Sequence, residues 1–321
     1  MKKVIIIFLI ISIVALYGCK GTSGKNPITD QDVRKGFDGL NMEFAKNAPP
    51  EKIFEETVFP LAIKLNNRGA SNIENGFLVI GLEKAYLDFA NSDGNQKLIR
   101  IDGKSVFNLN GGEDYVTING ITKKIGVQSE THPSTILATA CYGYQTVLGT
   151  SACIDTDIFD TGLRKKSCQA KSLDFREGQG APLAITKIEP QMLPDQDSNK
   201  IKPHFIIFIE NKGKGQVIRQ TKVQDACTKS SLTISPLTIE DFNRITIRAF
   251  LSGNQLNCNV GNNPGDIEVR LREEKGMVRC TLEEGIDRTQ DAFMAPLRIE
   301  MDYGYTFTIS KDITIEKILR H

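Results

Sequence analysis

The sequence predicts an all-β chain: two tandem β-sandwich domains behind a cleavable leader and a tether. Three observations lead there. An apolar run near the amino terminus stops at a cysteine. A set of short motifs occurs twice in the same order. Apolar residues alternate with polar ones in short segments, the period of half-buried strands.

The leader comes first. Met1-Lys2-Lys3 is a basic start, and Val4 to Tyr17 is apolar except for Ser12. Such a stretch matches a signal-peptide core, whereas a bilayer-spanning helix needs about 20 residues. The run ends in Leu16-Tyr17-Gly18-Cys19, which resembles a lipobox, with Tyr17 bulkier than the usual residue. Residues 1–18 therefore read as a lipoprotein signal peptide, with lipid expected on Cys19 as the contact with the membrane. Each buried acyl CH₂ contributes about 0.8 kcal/mol to such an anchor. Residues 19–39 are polar and carry Gly21, Gly24, Gly36 and Gly39, the composition of a flexible tether. Fully extended, that tether reaches at most about 65–70 Å.

The repeat defines the body. Leu61-Ala62-Ile63-Lys64-Leu65-Asn66-Asn67-Arg68-Gly69 aligns with Phe205-Ile206-Ile207-Phe208-Ile209-Glu210-Asn211-Lys212-Gly213 at an offset of 144. The same offset sets Pro50 on Pro194 and Leu40–Phe44 on Ala184–Ile188. Tyr142-Gly143-Tyr144 matches Tyr303-Gly304-Tyr305 at an offset of 161, so the second copy holds about seventeen extra residues between its shared strands. The domains expected are 40–155 and 181–321, joined by a connector at 156–180.

Each copy reads as strands. Ile245, Ile247, Ala249 and Leu251 alternate with Arg244, Thr246, Arg248 and Phe250, and Ile267, Val269 and Leu271 do the same. The turn Glu273-Glu274-Lys275-Gly276 before Val278, Cys280 and Leu282 predicts a hairpin, as does Asn119-Gly120 between apolar neighbours. Thr238 and Asp241 have the spacing of a capping box and mark the best, short helix candidate. Short strands at this spacing fit two antiparallel sheets per copy.

A strand ending in an Asn-base-Gly turn and followed by another strand occurs in both copies. Asn47-Ala48-Pro49-Pro50, Cys141-Tyr142-Gly143-Tyr144 and Gly178-Gln179-Gly180-Ala181-Pro182 accompany it. These motifs resemble the CARDB and related immunoglobulin-like modules of prokaryotic surface proteins, and the layout is similar to archaeal surface lipoproteins with paired modules. The resemblance implies two tandem immunoglobulin-like β-sandwich domains and a role in adhesion or assembly. It transfers no catalytic residue.

Composition narrows the chemistry. Lys+Arg total 40 against 39 Asp+Glu, and loss of Lys2 and Lys3 with the leader leaves 38 against 39, no excess to hold nucleic acid. There is no Trp, and His132, His204 and His321 are the three histidines, little material for a metal centre or a His-based triad. Six cysteines remain beyond Cys19, and no Cys-x-x-Cys is present. They allow fifteen pairings. The expected set is Cys153–Cys168 and Cys258–Cys280 as local staples, with Cys141–Cys227 by elimination.

Candidate contact residues are few. Tyr142, Tyr144, Tyr303 and Tyr305 could form aromatic strips, since residues i and i+2 share a strand face; core packing is the competing reading and the favoured one. Asp155, Asp157 and Asp160 crowd one loop as weak calcium ligands, without the glycine and distal glutamate of a helix-loop-helix site. Gly213-Lys214-Gly215 lacks the third glycine of a dinucleotide fingerprint and reads as a turn. The expected function is contact without catalysis or cofactor: a lipid-anchored surface protein binding another surface or envelope protein. The alternatives are a structural spacer in an envelope, pilus or secretion assembly, and an extracellular hydrolase using two carboxylates.

Overall fold

The computed structural model describes residues 28–91, 95–159, 166–227, 237–259 and 268–318. The first half holds a one-turn helix, α1 (Asp30–Val33), then β1 (Leu40–Phe44), β2 (Lys52–Phe54), β3 (Val58–Asn67) and β4 (Ile73–Gly81). β5 (Leu87–Phe89), β6 (Gln96–Ile101), β7 (Glu113–Thr122), β8 (Thr131–Ile154) and β9 (Leu173–Asp174) follow. The second half holds β10 (Leu183–Pro194), β11 (Lys200–Asn211), β12 (Gln216–Ile218), a short helix α2 (Val223–Ala226) and β13 (Arg244–Leu251). It ends with β14 (Asn254–Gln255), β15 (Asn257–Asn259), β16 (Glu268–Arg270), β17 (Lys275–Thr281), β18 (Ile286–Asp287) and β19 (Phe293–Glu316).

The all-β expectation holds. The strands make three sheets: a four-stranded sheet ordered β1-β3-β7-β5, a six-stranded sheet ordered β15-β17-β11-β10-β9 with β18 beside β11, and a nine-stranded sheet ordered β14-β13-β19-β8-β4-β6 with β12, β16 and β2 alongside. β8 and β19, 24 residues each, pair antiparallel at every position from Thr131↔Glu316 to Ile154↔Phe293. Near the middle Gly143 lies opposite Gly304, Tyr142 opposite Tyr305 and Tyr144 opposite Tyr303. Since Gly304 is also the repeat's counterpart of Gly143, the two copies are related by an approximate two-fold axis through these glycines.

Alternation along β8 buries Ile136, Ala138, Ala140, Tyr142, Tyr144, Leu148, Ala152 and Ile154 on one face. Both smaller sheets lie against it. The Leu40 N–H of β1 donates to Tyr142 Oη at 3.3 Å, and the Leu183 carbonyl of β10 accepts from Thr146 Oγ1 at 2.7 Å. One hydrophobic core runs through both copies, from Leu40 to Ile315. The expected connector therefore separates the copies in sequence while they share a sheet and a core. β2 strengthens the union: a first-copy strand, it pairs parallel with Thr314–Glu316 at the end of β19.

The repeat's offsets have structural reasons. Leu40 pairs with Asn67 and Leu183 with Asn211, an offset of 143 for the first strand; a bulge between Ile185 and Lys187 restores 144. β4 and β12 leave equivalent turns, but β12 stops after Ile218↔Gly304. The ladder along β19 resumes in β13 with Thr246↔Asp302, the counterpart of Phe77↔Cys141. That raises the offset to 169, so the second copy carries a 25-residue insertion, residues 219–243; later segments are shorter and bring the offset down to 161. The neck of the insertion is closed by the Ile218↔Phe242 bridge and by Arg219 N–H to Asp241 O at 2.8 Å.

Several local expectations are corrected. Asn119-Gly120 makes no hairpin: both lie inside β7, where the absence of a Cβ on Gly120 lets the Phe59 ring pack on the backbone. Glu273 and Glu274 do form a tight turn, with Arg272 and Lys275 bridged, but it joins β16 of the nine-stranded sheet to β17 of the six-stranded one. The Thr238–Asp241 capping box is present on a single 3-10 turn, Ile239–Asp241. The carboxyl-terminal part of the expected tether is docked: Val33 is buried, and Gly36, at φ +93°, bridges Gly178. Residues 1–27, including Cys19, lie outside the described residues.

Candidate functional site

The two repeated motifs are one construction. In the first copy Tyr144 Oη donates to Asn67 Oδ1 at 2.9 Å, the Gly69 N–H donates to the same oxygen at 3.3 Å, and Asn67 Nδ2 donates to Ser71 O at 2.7 Å. In the second, Tyr305 Oη donates to Asn211 Oδ1 at 3.2 Å, the Gly213 N–H reaches that oxygen at 3.2 Å, and Asn211 Nδ2 reaches Gly215 O at 3.0 Å. A Cβ on Gly69 or Gly213 would collide with the tyrosine hydroxyl, so the turn needs glycine where the ring closes over it. The four tyrosines meet at the axis with ring centroids 5.5–6.3 Å apart.

These rings are buried, which removes Tyr142, Tyr144, Tyr303 and Tyr305 as exposed contact strips. Their shared face is the one the smaller sheets cover. Burial pushes all four phenols up, Tyr305 to about 12.

The three disulfides are Cys141–Cys227, Cys153–Cys168 and Cys258–Cys280, the expected pairing. Bridges of this kind form in oxidising compartments, and the chain is extracytoplasmic. No helix among the described residues is long and apolar enough to cross a membrane. Cys141–Cys227 has a second effect: it ties the insertion of the second copy onto the outer face of β8, in the first. Val223 and Cys227 pack there with Cys141, Ile218, Phe77 and Val79.

A groove of about 690 Å³ opens beside that staple. Its floor is Gly143 and Gln145 of β8. One wall is the outer face of the first copy, with Asn72, Glu74, Asn75, Phe77 and Leu98; the other is the insertion, with Gln220, Thr221, Val223 and Gln224. Asn72 and Gln145 are already oriented: Asn72 Oδ1 accepts the Gly103 N–H at 2.9 Å and Gln145 Nε2 donates to Asp302 at 2.8 Å. Leu98 is 62% exposed. Amides and a hydroxyl beside apolar side chains, with Glu74 the one ionisable group in the lining apart from the buried Tyr144 phenol, suit a partner of neutral polar character. Sequence reasoning did not reach these residues: it found a surplus of about seventeen residues in the second copy without locating it.

Other candidates resolve differently. Lys166 Nζ lies 2.9 Å from Asp155 Oδ2, so this carboxylate already has a cationic partner. The Asp157 N–H donates to Asp155 Oδ1 at 3.1 Å, and Asp160 lies outside the described residues. Among the described residues no group of three His, Cys, Asp or Glu side chains is placed to hold a metal ion. Glu300 and Asp302 share Arg248 at 3.0 and 2.7 Å. His132 stacks on Tyr86, and His204 Nδ1 lies 2.7 Å from Thr281 Oγ1. Gly213-Lys214-Gly215 turns the chain from β11 into β12.

No protein-family model matches the chain, and no curated protein matches it. Among solved structures it is similar to the secreted serine protease VesC from Vibrio cholerae at 9% identity and a TM-score of 0.19, covering 83% of this chain and 50% of that one. The chain thus spans about half the length of that protease. It is also similar to the CupB6 tip adhesin from Pseudomonas aeruginosa, at 10% identity and a TM-score of 0.18, covering 90% of this chain and 100% of that one. A DUF4466 family protein from Parabacteroides merdae has 10% identity and a TM-score of 0.15, covering 82% and 98%. At these TM-scores none of the three carries an argument about function.

Proposed function

We propose that this chain is a lipid-anchored, extracytoplasmic binding protein. Two immunoglobulin-like modules, of the kind its motifs resemble, are fused along β8 and β19, and the groove beside Cys141–Cys227 contacts a surface or envelope partner. The observation that carries this reading is the staple itself: a disulfide, a closed neck and a buried apolar patch hold the insertion at one wall of an otherwise open groove. A segment fixed that firmly beside unburied amides supplies geometry, and a preorganised surface loses less entropy on binding. The lipid on Cys19 rests on the leader alone.

The test is cross-linking on intact cells with the wild-type chain and with Asn75→Arg/Gln220→Arg, which places bulk and charge in the groove. One discrete external partner, lost in the variant while thermal stability and disulfide content stay unchanged, supports the proposal. A partner captured equally by both forms removes the groove as the contact site. A capture pattern made only of an envelope lattice favours the spacer role, for which the unbroken β8–β19 ladder is the supporting feature.

A further inference from the structure

The loop between β6 and β7 exposes apolar side chains that no part of the described fold covers. Val106, Phe107 and Leu109 are all exposed, Phe107 to 98%. The loop is nonetheless firmly built. Ser105 and Asn108 exchange both backbone hydrogen bonds, at 2.9 and 3.1 Å, leaving Val106-Phe107 as a two-residue tip. Asn108 Nδ2 donates to Gly111 O at 2.8 Å, the Asn110 N–H donates to Asn108 Oδ1 at 3.2 Å, and the Gly112 N–H donates to Asp102 O at 2.9 Å. A rigid loop that holds a phenyl ring in water stabilises nothing inside the protein, and a cluster of exposed apolar residues marks a contact surface.

Its place in the molecule selects the contact. Lys104 Nζ donates to the Lys35 carbonyl at 3.2 Å, so the root of the tip stands against the docked amino-terminal segment. Ile28 precedes that segment and lies nine residues after Cys19, a reach of at most about 30 Å. A lipid on Cys19 would thus keep the segment that the root of the tip contacts on the bilayer side of the molecule. Lys104 is the cation at its root, since Lys35 Nζ is already paired with Asp32 at 3.2 Å and Glu177 at 3.7 Å, so the apolar tip carries the contact.

We propose that the Val106-Phe107-Leu109 tip inserts into the membrane surface to which the chain is anchored. The protein then touches the bilayer at two points and presents its groove in a fixed direction. The inference rests on the anchoring of Cys19 for its geometry, and the experiment separates the two.

The chain has no tryptophan, so a single substitution supplies an unambiguous probe. Phe107→Trp is compared with Val127→Trp, whose parent side chain is 92% exposed in the loop before β8, at the far end of that strand. Each cell-produced full-length protein is added to vesicles of phosphatidylcholine and phosphatidylglycerol, with and without brominated acyl chains, and flotation is measured in parallel. The expected result is a blue-shifted emission from the Phe107→Trp protein, quenched by the brominated lipid, while the Val127→Trp protein keeps a water-like spectrum. In the unlipidated Cys19→Ser chain, Phe107→Ala should weaken vesicle binding about tenfold or more. Flotation of the Phe107→Trp protein with a water-like spectrum overturns the insertion and leaves the anchor standing. A blue shift in that variant when the protein carries no lipid supports the insertion and overturns the anchor. Neither flotation nor shift overturns both.

Discussion

The two copies share a construction at the waist and differ in one strand. In the first, β4 follows the Asn67-Arg68-Gly69 turn as one continuous strand and pairs with β8 from Phe77↔Cys141 to Gly81↔Leu137. In the second, β12 leaves the Asn211-Lys212-Gly213 turn, breaks off after Ile218, and the 25-residue insertion crosses to the first copy before β13 resumes the ladder. What is duplicated is what the fold needs: a tyrosine closing over a glycine turn and satisfying a buried asparagine. What is not duplicated walls the groove. Symmetry accounts for the waist, and the largest departure from it supplies one wall of the site we propose.

The largest effect should come from breaking what the copies have in common. Tyr142, Tyr144, Tyr303 and Tyr305 have folded-state pKa values above the unfolded value of about 10. The unfolded chain therefore gives up these protons first. Stability from the four rings is complete below about pH 10 and falls as pH rises through the folded values, by about 1.4 kcal/mol per pH unit for each ring still protonated. All four shifts have the same sign, so the losses accumulate above pH 10. Denaturant midpoints from pH 8 to 11.5, with tyrosinate absorbance recorded alongside, measure this. Stepwise ionisation of the four rings with no loss of stability would mean that the waist is not the common foundation of both halves.

A somewhat smaller effect should fall on the second copy's insertion. Cys141 and Cys227 are separated by 86 positions. Closing a loop of that size constrains the unfolded chain by about 4.5 kcal/mol in the chain-entropy account. Cys141→Ala/Cys227→Ala should lose about 3–4 kcal/mol in urea unfolding. It should also bring proteolytic cleavage into residues 219–227 while the first copy stays resistant. Equal cleavage in both copies would show that the staple holds the whole waist and not the insertion alone.

Legibility in the sequence followed the same division. The Tyr-Gly-Tyr and Asn-base-Gly motifs were visible because each hydrogen bond at the waist needs a particular residue type in both copies, and repetition made the types stand out. Ile245 to Leu251 were readable as a strand because one face of β13 is buried along its length. The cysteine pairs followed from spacing, since two of the bridges close short loops. Asn119-Gly120 misled because the turn signature and the need for a bare backbone under Phe59 call for the same residue. Asn72, Asn75, Gln145 and Gln220 had no signature at all. They converge only through the insertion's crossing, which a disulfide and a patch of packing determine and no local period records. The Phe107 tip was equally silent, because Val106, Phe107 and Leu109 in a Gly- and Asn-rich loop follow no strand or helix period.

The smallest effects test the comparison most directly, at the two glycines on the axis. Gly143 and Gly304 are equivalents and face one another in the same ladder, so a body without the insertion would treat them alike. A Cβ on Gly143 meets only the flexible Gln220 side chain, at 3.8 Å. A Cβ on Gly304 lies 2.7 Å from Ile218 Cγ1 of β12 and from Val223 Cγ2 of the insertion. Gly143→Ala should be neutral or stabilising by about 0.5 kcal/mol, since alanine lowers the conformational entropy of the unfolded strand. Gly304→Ala should lose about 1–3 kcal/mol by overpacking. In the Cys141→Ala/Cys227→Ala background the difference should narrow, because Val223 can lift with an insertion no longer bonded to β8 while Ile218 stays paired in β12. Thermal melts of the six proteins, the two parents and both glycine variants of each, give the coupling. A Gly304→Ala penalty that persists undiminished without the disulfide would mean that the insertion is held by its neck and apolar packing alone.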